Sequence, residues 1–95
     1  MSDIIMRKYS PSPHAVESRV GDETVILHLQ SGTYFGLDLM GTQIWDLLKE
    51  GVSLNAICET ITDDYDTSLE TVKDDLKQLV SNLVKHDILV ESKAT

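Results

Sequence analysis

The feature that most limits what this chain can fold into is a change of apolar period at Asp38. Before it the residues follow strand patterns, and after it they recur at helical spacing until about residue 87. Ala15, Glu17 and Arg19 alternate with Val16, Ser18 and Val20 ahead of Gly21-Asp22, a period-two run closed by a turn signal. Thr24 to Leu29 is β-branched and almost continuously apolar, Ser31-Gly32 supplies a turn, and Thr33 to Leu37 resumes strand chemistry. A three-stranded antiparallel meander is expected.

Asp38 suits the N-cap of a helix over about 39–50, with Met40, Ile44, Leu47 and Leu48 on one face, Trp45 beside them and Gly51 as the stop. Ser53 caps a second helix that carries Leu54, Ile57, Cys58 and Ile61 and ends near 62–64. Thr67 with Glu70 three residues later reads as a capping box for the third. There Leu69, Val72, Leu76, Leu79 and Leu83 recur at alternating spacings of three and four, until Asp87 breaks the helix and Ile88-Leu89-Val90 forms a short closing strand.

Short helices are unstable alone, so they must cover one face of the sheet. The expected architecture is therefore α+β, a three-stranded antiparallel sheet packed on a three-helix winged helix-turn-helix bundle. Its expected core is Val25, Leu27, Leu29, Leu37, Ile44, Leu48, Ile57, Ile61, Leu76, Leu79 and Leu83. Residues 1–13, with Pro11 and Pro13, read as an N-terminal tail or edge segment, 14–91 as the domain and 92–95 as a C-terminal tail.

Composition removes several function classes. Ninety-five residues make one domain with a modest core, poorly suited to a deep desolvated catalytic cavity. A net charge of −8 opposes binding to nucleic acid or to anionic membranes, both of which depend on Lys and Arg. The third helix would be the DNA-reading one, yet Glu70, Asp74 and Asp75 occupy its first turns. No signal peptide and no membrane-length apolar run is visible, so a soluble cytoplasmic protein is expected.

Candidate chemistry is sparse. Cys58 sits on the inward stripe of its helix with no histidine near in sequence, which reads as a small buried hydrophobe; a nucleophilic thiol is the competing reading. His14, His28 and His86 show no ligand spacing, so no metal and no cofactor is expected. Asp63-Asp64-x-Asp66 lacks the glycine and the distal glutamate of a calcium loop. The seven acids from Glu59 to Asp75, against the single base Lys73, read as a solvated face or as the rim of a groove for a basic peptide.

Backbone chemistry remains. The third strand has one side that nothing earlier in the chain must pair, and an open edge is an aggregation hazard or a docking site. A peptide added there would gain main-chain hydrogen bonds, with pockets from Val72, Leu76 and Leu79 supplying specificity if the third helix lies alongside. The bland alternative is that these residues are plain core.

The combined pattern Leu27-x-x-x-x-Gly32-x-Tyr34-Phe35-x-Leu37-Asp38-x-x-Gly41-x-x-Ile44-Trp45-x-Leu47-Leu48, then Val52-Ser53-Leu54-x-x-Ile57, then Tyr65 and Val72-x-x-Asp75-Leu76, resembles the PqqD family over about residues 14–91. These are small recognition domains for precursor peptides in pathways of ribosomally made, modified peptides. The resemblance implies that the leader region of a precursor adds as a strand beside Thr33, Tyr34, Phe35, Gly36 and Leu37, against a helix wall of Val72, Asp75, Leu76 and Leu79. It further implies a stand-alone, non-catalytic leader-binding chaperone of the lasso-peptide type, delivering its cargo to a separate leader peptidase of the cysteine-protease type or another modifying enzyme. The pyrroloquinoline-quinone version, which presents its precursor to a radical enzyme, usually has Pro-Glu-Gly where this chain has Gln30-Ser31-Gly32. A winged-helix transcriptional regulator is the alternative from another class. Two further departures are Asp38, where the family often has Asn, and His86-Asp87, where a Gly usually precedes the last strand.

Overall fold

The computed structural model describes residues 8–65 and 67–91; residues 1–7 of the expected N-terminal tail, the whole expected C-terminal tail 92–95 and Asp66 of the acidic run lie outside them. The order of elements is β1 (Tyr9–Pro11), β2 (Ala15–Val20), β3 (Glu23–His28), β4 (Tyr34–Leu37), α1 (Leu39–Lys49), α2 (Leu54–Tyr65), α3 (Leu69–Lys85) and β5 (Leu89–Glu91). The fold is α+β, with three helices and an antiparallel sheet ordered β2-β3-β4. A second, two-stranded sheet pairs β1 with β5, Tyr9 opposite Glu91, and Tyr9 is buried in the core. The proline-flanked lead segment thus contributes a strand and a core side chain. No helix of the described residues is long and apolar enough to cross a membrane.

The three helices start where their caps are, with one correction. The Asp38 side chain accepts a hydrogen bond from the Gly41 N–H at 2.8 Å, and Ser53 accepts from Ala56. For α3 the cap is Ser68 rather than Thr67: Ser68 is extended and accepts from the Thr71 N–H at 3.2 Å. Glu70 then falls at the second helical position, one short of the position from which it could close a capping box.

The period of β3 is right and its phase is inverted. Ile26, Thr24 and His28 point inward, whereas Val25 and Leu27 are half-buried and Leu29 is 58% exposed. A continuous apolar run carries no information about which side faces the core, and a one-residue shift moves every side chain to the other face. The inward polar residues are satisfied: Thr24 Oγ1 lies 2.9 Å from Thr42 Oγ1, and Thr42 donates onward to the Leu37 carbonyl. Leu79 is also only partly buried; the inward stripe of α3 is Val72, Leu76, Val80 and Leu83. Val16 and Tyr34 are exposed on the opposite face of the sheet.

On the helix-facing side β2 offers Glu17 and Arg19, and α1 meets them with polar partners. Trp45 Nε1 donates to Glu17 at 3.0 Å, Lys49 donates to the same oxygen at 2.8 Å, and Arg19 pairs with Asp46 at 2.8 Å. Burial alone would push the Glu17 carboxyl up, but these hydrogen bonds and the charges of Lys49 and Arg19 hold it below its ordinary value.

Candidate binding cleft

The chain passes directly from β4 into α1, and this junction builds one wall of a cleft. Gly41 lies in the first turn of α1, where an added Cβ would stand 3.2 Å from Leu37 Cβ and 3.3 Å from Asp38 Oδ1. Glycine is therefore what lets the helix start fold tightly against the end of the strand. Across from this wall runs α3. Between them is a cleft of about 360 Å³ lined by Gly36, Leu37, Asp38, Met40, Gly41, Ile44, Val72, Asp75, Leu76 and Leu79. That volume is near the lower end of ligand clefts, room for two or three apolar side chains.

Six of the residues expected from sequence line it: Gly36, Leu37, Val72, Asp75, Leu76 and Leu79. Thr33, Tyr34 and Phe35 do not; they continue the strand beyond the cleft, where the Phe35 ring rests against His86 at 5.2 Å. Sequence reasoning assigned Ile44 to the core, used Asp38 only as a cap, and missed Met40 and Gly41 as wall residues. The spacing Gly41-x-x-Ile44, one face of a helix start, was the signal that could have placed them there.

The strand edge can be resolved residue by residue. The His28 N–H donates to the Thr33 carbonyl at 2.9 Å, so these residues form a hydrogen-bonded pair. Alternation along an antiparallel ladder then makes Ile26–Phe35 and Thr24–Leu37 the next such pairs, and leaves the N–H and C=O of Tyr34 and Gly36 pointing away from the sheet. With β4 last in the strand order, no described strand takes up those groups.

Asp75 lies where the apolar cleft meets the polar outer side of α3, a shallow depression lined by that helix alone and shared through Asp75 and Leu79. It makes no ion pair with any described residue. Cys58 is away from the cleft and buried, and burial pushes its thiol up despite the opposing charges of Lys73 and Lys77, which is the reverse of nucleophile activation. Two histidines separated in sequence do come together: His14 and His28 both contact Asp87. Separations of 73 and 59 residues carry no sequence signal for such a cluster.

The family described as "Coenzyme PQQ synthesis protein D (PqqD)" matches residues 23–89. No curated protein matches the sequence. Among solved structures, "TbiB1 in Complex with the TbiA(beta) Leader Peptide" is similar at 38% identity, covering 90% of this chain and 99% of that one with a TM-score of 0.81. "Lasso peptide synthetase B1 complexed with the leader peptide" shares the fold at 20% identity, covering 87% and 98% with a TM-score of 0.81. With most of its length matched by the family and a relative of this identity along nine-tenths of it, the chain belongs to the PqqD family.

Proposed function

We propose that this protein is a non-catalytic chaperone that binds the leader region of a precursor peptide, in the biosynthesis of a lasso peptide or a closely related ribosomally made product. The leader adds as a further strand along β4, lays apolar side chains into the cleft, and is delivered in this form to a separate leader peptidase or modifying enzyme. The observation that carries the reading is the pairing of an open strand edge with an apolar cleft walled by α3. The relative TbiB1 was solved with a leader peptide, which supports leader binding, and Gln30-Ser31-Gly32, where the pyrroloquinoline-quinone type usually has Pro-Glu-Gly, supports the lasso-type reading.

Magnitudes require both halves of the site. The outward groups of Tyr34 and Gly36 offer up to about four ladder bonds at a net ~0.5–1.5 kcal/mol each, less the ordering of the peptide. Micromolar affinity needs about 8 kcal/mol. Two or three apolar anchors, each contributing ~1.5–3 kcal/mol on burial, supply the difference. We further read the helices with the β1–β5 ribbon as a winged helix-turn-helix layout turned to peptide binding, supported by the packing of α2 on α3 and of β5 on α3. Residues 14–91 form the recognition domain in this reading, with β1 added to it through its pairing with β5.

The test is fluorescence anisotropy with labelled leader of the precursor encoded beside this gene, and with the TbiA(beta) leader as a second probe. Saturable binding that is abolished by Leu79→Asp, at a partly buried position of the cleft and in a variant that still melts cooperatively, is expected. Failure to bind either leader would remove this function.

A further inference from the structure

The turn between α3 and β5 gathers more hydrogen bonds on one atom than a connection requires. Asp87 occupies it at φ 58, the left-handed region that glycine adopts most easily. Its Oδ2 lies 3.0 Å from His14 Nδ1 and 3.0 Å from His28 Nε2. His14 precedes β2 and His28 ends β3, so one carboxylate oxygen joins the sheet at two places to the end of α3.

The direction of these bonds follows from Ser31. Its backbone N–H donates to His28 Nδ1 at 3.1 Å, so that nitrogen is an acceptor, and the hydrogen of the neutral ring is on Nε2, where it is donated to Asp87. The same assignment argues against a metal. His14, His28 and Asp87 present three ligand atoms within 4.8 Å of one another. Coordination through Nε2 would require a hydrogen on Nδ1, which the Ser31 Oγ at 3.0 Å is placed to accept but which would also face the Ser31 N–H, so the backbone contact is what favours the hydrogen on Nε2.

We propose that Asp87 is a positioning residue for leader binding: through His28 and His14 it locks the C-terminal end of α3 to the β3–β4 end of the sheet and thereby presets the spacing between β4 and α3. The inference rests on the leader-binding reading above. A helix is stiff over the seventeen residues of α3, so fixing its last turn orients the Val72, Leu76 and Leu79 wall that precedes it. The contact of Phe35 with His86 closes the same end. Binding to a preset cleft avoids the ordering that a splayed one requires.

Three variants of the full chain separate the roles. Asp87→Gly removes the lock while easing the backbone, Asp87→Asn retains an acceptor and tolerates the same φ, and His14→Ala removes one exposed partner. With labelled leader of the neighbouring precursor and the TbiA(beta) leader as probes, Asp87→Gly is expected to weaken binding about three- to tenfold, mostly by slower association, and Asp87→Asn to recover most of it. Adding His14→Ala to Asp87→Gly should cause no further loss. Hydrogen exchange of residues 80–86 should accelerate in Asp87→Gly, and ring nitrogen NMR should show His28 with its hydrogen on Nε2. Unchanged leader affinity in Asp87→Gly overturns the positioning role. A hydrogen on Nδ1, or a melting temperature raised by equimolar zinc chloride in the parent but not in Asp87→Gly, overturns it in favour of a metal site. A parent protein that binds neither leader defeats the leader-binding reading; the lock itself is then judged on the exchange and ring data, and unchanged exchange in Asp87→Gly defeats it separately.

Discussion

Ile26 and Phe35 stand directly opposite each other in the β3–β4 ladder and exchange their backbone hydrogen bonds, so the edge that β4 offers belongs to Tyr34 and Gly36. Proline at these positions reports the difference. Tyr34→Pro removes an outward N–H and should weaken leader binding about fivefold with little change in thermal stability. Phe35→Pro removes a ladder bond inside the sheet and should lower the melting temperature instead. Anisotropy and differential scanning fluorimetry on the same two proteins decide; loss of binding only in Phe35→Pro would mean that the ligand does not use this edge.

Two carboxylates share the cleft with apolar side chains: Asp38 is taken up in capping α1, and Asp75 makes no ion pair with a described residue. Asp75→Lys should reduce affinity for a leader containing Lys or Arg about three- to tenfold, chiefly by slowing association, and should flatten the dependence on salt. Equal affinity and equal salt slope in the two proteins would leave recognition to the apolar wall alone.

Acid should destabilise the fold in two stages. Glu17 is held below 4.5, so its stabilising contribution is complete above that value and disappears as pH falls through the lowered one. Asp87, held by hydrogen bonds from His28 and then His14, is lowered from 3.8 to about 2, and its contribution is lost between those limits. Urea midpoints measured from about pH 7 down to about pH 2.5 should fall steadily below about 4.5, and Glu17→Gln should start lower but fall less. An identical pH slope in Glu17→Gln would show that its contacts with Trp45 and Lys49 do not persist in solution.

Cys58 is 1% exposed and its thiol is pushed up by burial. It should react with a thiol reagent only after denaturation, and Cys58→Ser should cost about 1–3 kcal/mol by placing a hydroxyl among apolar neighbours. Rapid labelling of the native protein would contradict the burial.

The period change at Asp38, the three helices and the meander were legible because each depends on local chemistry: a capping aspartate, glycine stops and apolar residues at fixed spacing. The phase of β3 was not, because Thr24 and His28 face inward only by virtue of Thr42 and Asp87, distant partners that no local pattern announces. The pairing of Tyr9–Pro11 with Leu89–Glu91 was hidden for the same reason. Six of the ten cleft residues follow from the expected strand edge and helix wall, Gly36 and Leu37 with Val72, Asp75, Leu76 and Leu79; Asp38, Met40, Gly41 and Ile44 come from a helix start whose local pattern shows only a cap and a core stripe.

The β1–β5 ribbon has a consequence for how such a unit can be wired into larger assemblies. Tyr9 lies beside Glu91, so the first and last described strands bring their outer ends to one point. No residue of either strand lines the cleft. A contact made at that point would thus involve none of the residues that wall the ligand cleft.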